Sequence, residues 1–109
     1  MIVDFHTHIF PPAIAPRTVE ILRAGALRCS GIDMEPYTDA TAEGLRASMA
    51  GDGVDLSVVA PIATKPSQTE SINRYAREIS HDGLLSFGSL HPHGDDPEGT
   101  LERLAEAGF

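Results

Sequence analysis

The sequence predicts an α/β protein built on a small parallel sheet. Three apolar runs, near residues 2–8, 54–62 and 84–90, have the composition of β-strands. Segments with the apolar spacing of amphipathic helices lie before the second run and after the second and third runs. Strands that alternate with helices form right-handed βαβ units, whose strands are parallel. The length of 109 residues suits one small domain.

The first strand carries the candidate metal ligands. His6 and His8 are two residues apart, so strand alternation puts both imidazoles on one face, with roughly 7 Å between their Cα atoms. This spacing lets both rings bind one divalent metal, and zinc is the metal we expect. Asp4 is in phase with them and is expected on the same face, where it could orient a ligand or a metal-bound water. The alternative is a pair of exposed histidines without a ligand.

A long connection, residues 9–40, separates the first strand from the next helix. Pro11 and Pro12 end the strand because proline has no backbone N–H to donate. A short helix is predicted over residues 17–26, with Gly25 near its end, and residues 28–40 are predicted as loop. The connection leaves from the carboxyl edge of the sheet, where α/β proteins bind ligands. We therefore expect an insertion that acts as a lid or a pocket wall.

The middle of the chain predicts a helix, a buried strand and a second helix. A helix is predicted over residues 41–50, with Thr41 or Asp39 as its cap. Residues 51–53, which include two glycines, are predicted to end this helix. The almost continuous apolar run at 54–62 is typical of a strand covered on both faces. Ser67 and Glu70 predict a capping box for a helix that ends near residue 80. The predicted buried stripe of that helix is Ile72, Tyr75, Ala76 and Ile79.

The last third of the chain predicts a strand, a loop and a helix. Asp96 is placed as the helix cap, with Pro97 at the first helical position and Gly108 just after the last turn. His91 and His93 repeat the spacing of the first pair. They could form a second metal pair, or His91 could line the pocket, and we favour a polar loop restrained by the proline between them.

Composition narrows the classes of partner and location. The formal net charge of −8 disfavours a nucleic-acid backbone or an anionic membrane as partner. No apolar run is long enough to span a bilayer, and the charged Asp4 interrupts the first apolar segment, so no signal peptide is expected. Cys29 is the single cysteine, so no internal disulfide forms, and a cytoplasmic location is expected.

Several motifs resemble one enzyme family. Residues 1–8, followed by Pro11 and Pro12, resemble the opening of amidohydrolase-related metal enzymes, the relatives of aminocarboxymuconate-semialdehyde decarboxylase. Residues 53–59, 87–92 and 97–109 resemble the second and third units of that family. The resemblance implies a TIM-like (β/α)₈ barrel, of which residues 1–109 supply an incomplete N-terminal portion of about three βα units. It also implies that His6 and His8 are two of the metal ligands.

The same resemblance implies a metal-dependent hydrolase or a non-oxidative decarboxylase, a lyase, that acts on a small organic substrate through a metal-activated water. The other ligands and acid–base groups of the family come from later strands. The chain alone is therefore expected to lack the full site, and its end is expected to be a truncation boundary.

Two alternatives stay open. Phosphoesterases of the polymerase-and-histidinol-phosphatase type and TatD-like nucleases also begin with Asp-x-His-x-His. The other alternative is a non-catalytic fragment that binds metal weakly or self-associates through the open edges of its sheet.

Overall fold

The computed structural model describes all 109 residues and consists of a three-stranded parallel sheet and four helices. The strands are β1 (Val3–Thr7), β2 (Leu56–Val59) and β3 (Leu84–Ser86). The helices are α1 (Ala15–Ser30), α2 (Ala42–Asp52), α3 (Thr69–Ile79) and α4 (Pro97–Glu106). The strands lie in chain order and both neighbouring pairs are parallel. The predicted α/β class with a parallel sheet is confirmed, and each strand lies inside its predicted range. No helix combines the length and the apolar character needed to cross a bilayer.

One face of the sheet is covered by α2 and α3. The buried residues of this main core come from β2, β3, both helices and the segment after β1, and they are Ile9, Ala42, Leu45, Met49, Val59, Ile79 and Leu84. Three residues of the predicted stripe on α3 are buried, and the fourth, Tyr75, is half-buried against the core. Burial raises the pKa of the Tyr75 phenol, as expected of a side chain that contributes to packing.

The pairing of β1 with β2 contains a β-bulge. Asp4 pairs with Ser57 and Thr7 pairs with Val59, so three steps along β1 match two steps along β2. Ser57 and Val59 are two residues apart and share a face, and Val59 belongs to the core under the helices. Asp4 and Thr7 therefore both lie on the helix-covered side.

The bulge changes the side on which the first residues of β1 lie. Strict alternation predicts that Asp4 shares a face with His6 and His8, and this prediction is wrong. His6 and His8 flank Thr7 and so lie on the opposite face, which no helix covers. The extra residue in β1 places the residues after it on the side opposite to that expected from strict alternation. The two-residue period of a strand does not show where such a bulge occurs.

The uncovered side of the sheet is apolar. Val3, Phe5, Leu85 and Phe87 are 41%, 70%, 49% and 49% exposed, and together they form a surface that we call the open face. The rings of Phe5 and Phe87 meet edge to face with centroids 6.4 Å apart. Since β2 lies between the two outer strands, these rings reach each other across it. The His pair lies at the carboxyl end of the same face.

The insertion over residues 9–40 contains one long helix instead of a short one. α1 begins at Ala15, with a proline in its first turn, and ends at Gly31, whose φ of 72° suits glycine. Gly25, predicted near its end, lies inside it. The loop returns to α1 through ion pairs from Arg23 to Asp33 and Glu35.

The two ends of the insertion meet. The N–H of Phe10 donates to the carbonyl of Ala40 at 2.8 Å. Phe10, Ala15 and Ala40 form a second small core with the partly buried Val19, Leu22 and Ile62. The insertion is therefore a closed loop with its own packing.

Two of the three predicted helix caps are confirmed. The hydroxyl of Thr41 accepts the N–H of Gly44, and the carboxylate of Asp96 accepts the N–H of Gly99. The capping box at Ser67 is wrong, because a 3₁₀ turn over Pro66–Gln68 precedes α3 and holds Ser67 inside it. Proline at the first position of that turn starts the helical path one residue before Ser67.

Candidate metal centre

The two histidines of β1 converge at the carboxyl edge of the sheet. The Nε2 atoms of His6 and His8 are 3.0 Å apart, and both side chains are exposed to solvent. The two rings meet edge to face, with centroids 4.8 Å apart. The sequence predicted that these imidazoles lie together, and the geometry agrees with that expectation.

The ring of His8 is held by the neighbouring strand. Its Nδ1 lies 2.7 Å from the carbonyl oxygen of Ala60, just after β2. A carbonyl oxygen only accepts, so Nδ1 donates and carries the hydrogen. In the neutral ring the lone pair is then on Nε2, the atom that faces His6. A backbone carbonyl on the second ring nitrogen is a common orienting partner of metal-binding histidines.

The backbone of this edge is tied to β2 by two further hydrogen bonds. The hydroxyl of Thr7 donates to the carbonyl of Val58 at 3.0 Å. The N–H of Ala60 donates to the carbonyl of Thr7 at 2.8 Å. Both bonds fix the residue between the two histidines, so the spacing of the rings is set by the sheet itself.

Asp4 acts on the backbone and not on the rings. Its carboxylate accepts the N–H of His6 at 3.2 Å. The strand register places Asp4 on the helix-covered side, opposite the imidazoles. Its contact is therefore with the bulged backbone that presents His6.

The spacing of the two nitrogens fits one metal ion. Two nitrogens at about 2.0–2.1 Å from a tetrahedral metal lie about 3.3 Å apart, a few tenths of an ångström more than in this structure. A small rotation of the rings covers that difference. No group of three or more His, Cys, Asp or Glu side chains is close enough to hold a metal. The two imidazole nitrogens are therefore the candidate ligands at this site.

His91 lies in a different place. It lines a groove of about 1240 Å³ between α3 and α4, whose lining includes neither His6 nor His8. Its Nδ1 accepts the backbone N–H of His93 at 3.2 Å, and the two rings have centroids 5.7 Å apart. The structure therefore places His91 in a groove outside the His pair and does not bring it to the candidate metal ligands.

Sequence reasoning missed the role of Ala60. The group that orients His8 is a backbone carbonyl, and every residue type carries one. Its position depends on the pairing of β1 with β2, which residue type does not indicate.

Neither protein-family models nor curated proteins provide a match to this chain. The assignment of a function therefore depends on the geometry of the His pair and on the sequence motifs that surround it.

Proposed function

We propose that the chain binds a divalent metal, zinc in our expectation, through Nε2 of His6 and His8. We further propose that this centre serves a metal-dependent hydrolase or non-oxidative decarboxylase of the amidohydrolase type, with a small organic substrate. The observation that carries the proposal is the convergence of the two Nε2 atoms to 3.0 Å. The resemblance of residues 1–8 to that family supports the choice of chemistry.

A bound divalent metal lowers the pKa of a coordinated water and polarises a carbonyl group of the substrate. The residues of this chain supply the position. His8 is oriented by the carbonyl of Ala60, and His6 is presented by the bulge that Asp4 supports. Both side chains are exposed to solvent, so a substrate can approach them.

The remaining ligands are proposed to come from outside these residues. The family resemblance assigns them to later strands of a (β/α)₈ barrel, whose first three strands would be β1, β2 and β3. In such a barrel the open face would point to the interior, which is consistent with its apolar side chains. Of the alternatives, a nuclease is disfavoured by the charge of −8, which repels phosphate.

Metal titration of variants tests the assignment of the ligands. We expect zinc binding by the full chain, measured by calorimetry, and a loss of affinity of about 100-fold or more when His6→Ala and His8→Ala are combined, because a metal held by two imidazoles loses both.

His81→Ala is the matched control. This exposed histidine contacts Asp82 at the end of α3, and its removal should leave zinc affinity unchanged. Equal zinc affinity in the wild type and in the double variant would show that the ligands are elsewhere.

A further inference from the structure

We propose that two copies of this chain share one metal ion, open face against open face, with His6 and His8 of each copy supplying four nitrogens. The inference rests on the metal-binding part of the proposed function and adds a source for the missing ligands. A second copy is the occupant that the geometry of the site favours, for three reasons.

The first reason is the half-filled ligand set. Two imidazoles occupy half of a tetrahedral coordination shell, and both are exposed at the carboxyl end of β1. A two-fold axis through the metal presents an identical pair from the second copy, so each copy contributes the same surface to the contact. The second copy therefore completes the shell with its own His6 and His8.

The second reason is the surface around the pair. The open face lies on the same side of the sheet as the imidazoles, and its four side chains carry no charge. A fully buried aromatic side chain removes about 150–250 Å² of surface from solvent. Scaled by the exposed fractions of its four side chains, the open face has about 400 Å² of apolar surface per copy. Two copies would bury about 800 Å², below the 1,200–2,000 Å² of a stable interface. The apolar contact alone is therefore weak, and the metal is needed to hold the pair together.

The third reason is charge. Each copy carries a formal charge of −8, so two copies repel one another over most of their surface. The open face has no acidic side chain among its four residues, and Asp4 lies on the opposite side of the sheet. A divalent cation between the imidazoles adds positive charge at the point of contact. The repulsion therefore directs association to this face.

The shared site has a consequence for chemistry. Four imidazoles close the shell of a tetrahedral zinc and leave no position for water, as in structural zinc sites. In the dimer the metal therefore links the two copies and cannot activate a water for hydrolysis. Hydrolysis requires that water and other ligands replace the second copy.

Native mass spectrometry and sedimentation velocity of the full chain test this inference, with Zn²⁺ added from zero to one equivalent. We expect a monomer without zinc, a dimer with one zinc per two chains, and return to monomer when EDTA is added. One zinc per monomer would overturn the shared site and leave the proposed ligands intact. A chain that binds no zinc would overturn both proposals, and a dimer that persists without zinc would overturn the role of the metal.

Two exposed apolar residues provide matched variants. Phe5→Ser changes the open face, whereas Leu101→Ser changes α4, where that side chain is 59% exposed. We expect Phe5→Ser to weaken the zinc-dependent dimer by about tenfold or more, since an aromatic side chain leaves the contact. Leu101→Ser should leave the dimer unchanged. Equal dimer affinity in both variants would show that the open face is not the interface.

Discussion

His8 is fixed by a carbonyl of the next strand, whereas the ring of His6 contacts His8 itself. When His8 is neutral and its Nδ1 donates to Ala60, the hydrogen between the two Nε2 atoms comes from His6. A metal ion would replace that single hydrogen bond and keep both rings in nearly their present positions. For the metal binding that we propose, the two rings would already be close to their bound positions, which reduces the cost of ordering on binding.

Asp96 gives a residue-level prediction about pH. Its carboxylate accepts the N–H of Gly99 and a bond from Arg103, and these hold its pKa below the ordinary value of 3.8. A lowered pKa in the folded chain adds stability above that value, and the gain is lost as pH falls below it. Asp96→Asn keeps a capping acceptor but cannot ionise. We expect the stability difference between wild type and Asp96→Asn to shrink between pH 6 and pH 3, measured by urea unfolding.

The neighbouring Asp95→Asn is the control, since Asp95 makes no comparable contact with the helix. A difference between wild type and Asp96→Asn that stays constant over this pH range would contradict the assignment of Asp96 as an ionised cap.

At the level of elements, the caps of α2 and α3 can be compared directly. Thr41→Ala removes the acceptor for the N–H of Gly44, and we expect a loss of about 1 kcal/mol in the free energy of unfolding. Ser67→Ala should cost much less, because Ser67 accepts no helix N–H in this structure. Chemical denaturation of both variants checks the pair. An equal loss of free energy of unfolding at the two positions would indicate that Ser67 does cap α3.

The helix ends differ in whether they could be predicted from the sequence. The caps at Thr41 and Asp96 were predictable because each depends on a few adjacent residues. The start of α3 was not, because the amide oxygen of Gln68 accepts from the N–H and hydroxyl of Thr64 and stabilises a 3₁₀ turn that replaces the predicted box. α1 was predicted too short, since Gly25 is tolerated inside a helix that ends at Gly31.

In the candidate site, too, some features could be predicted from the sequence and others could not. The convergence of His6 and His8 follows from their spacing, which is local. The side on which Asp4 lies depends on the pairing of β1 with β2, and the partner of His8 is the backbone of Ala60. Both of these depend on contacts between distant parts of the chain, which neither composition nor periodicity reports.

For the whole molecule, the main core lies between the sheet and the helices α2 and α3. Leu45→Ala removes a side chain of the main core, and we expect a loss of about 2–5 kcal/mol in the free energy of unfolding. Leu101→Ala is the same substitution on α4, which has no buried residue, and should change stability by about 0.5 kcal/mol or less. Thermal or urea unfolding compares them. Equal losses would mean that α4 contributes to the core as strongly as α2 does.

Because β1 contains a bulge, we expect it to tolerate substitutions better than deletions. Substitutions at its exposed positions leave the backbone path intact. Loss of a single codon between Asp4 and Thr7 would instead remove the extra residue and restore strict alternation. Deletion of Phe5 would keep both histidines and would still place them opposite Asp4, but it would remove from the open face the ring that meets Phe87. The extra residue of the bulge is therefore what lets this strand present an aromatic ring and two imidazoles on one side of the sheet.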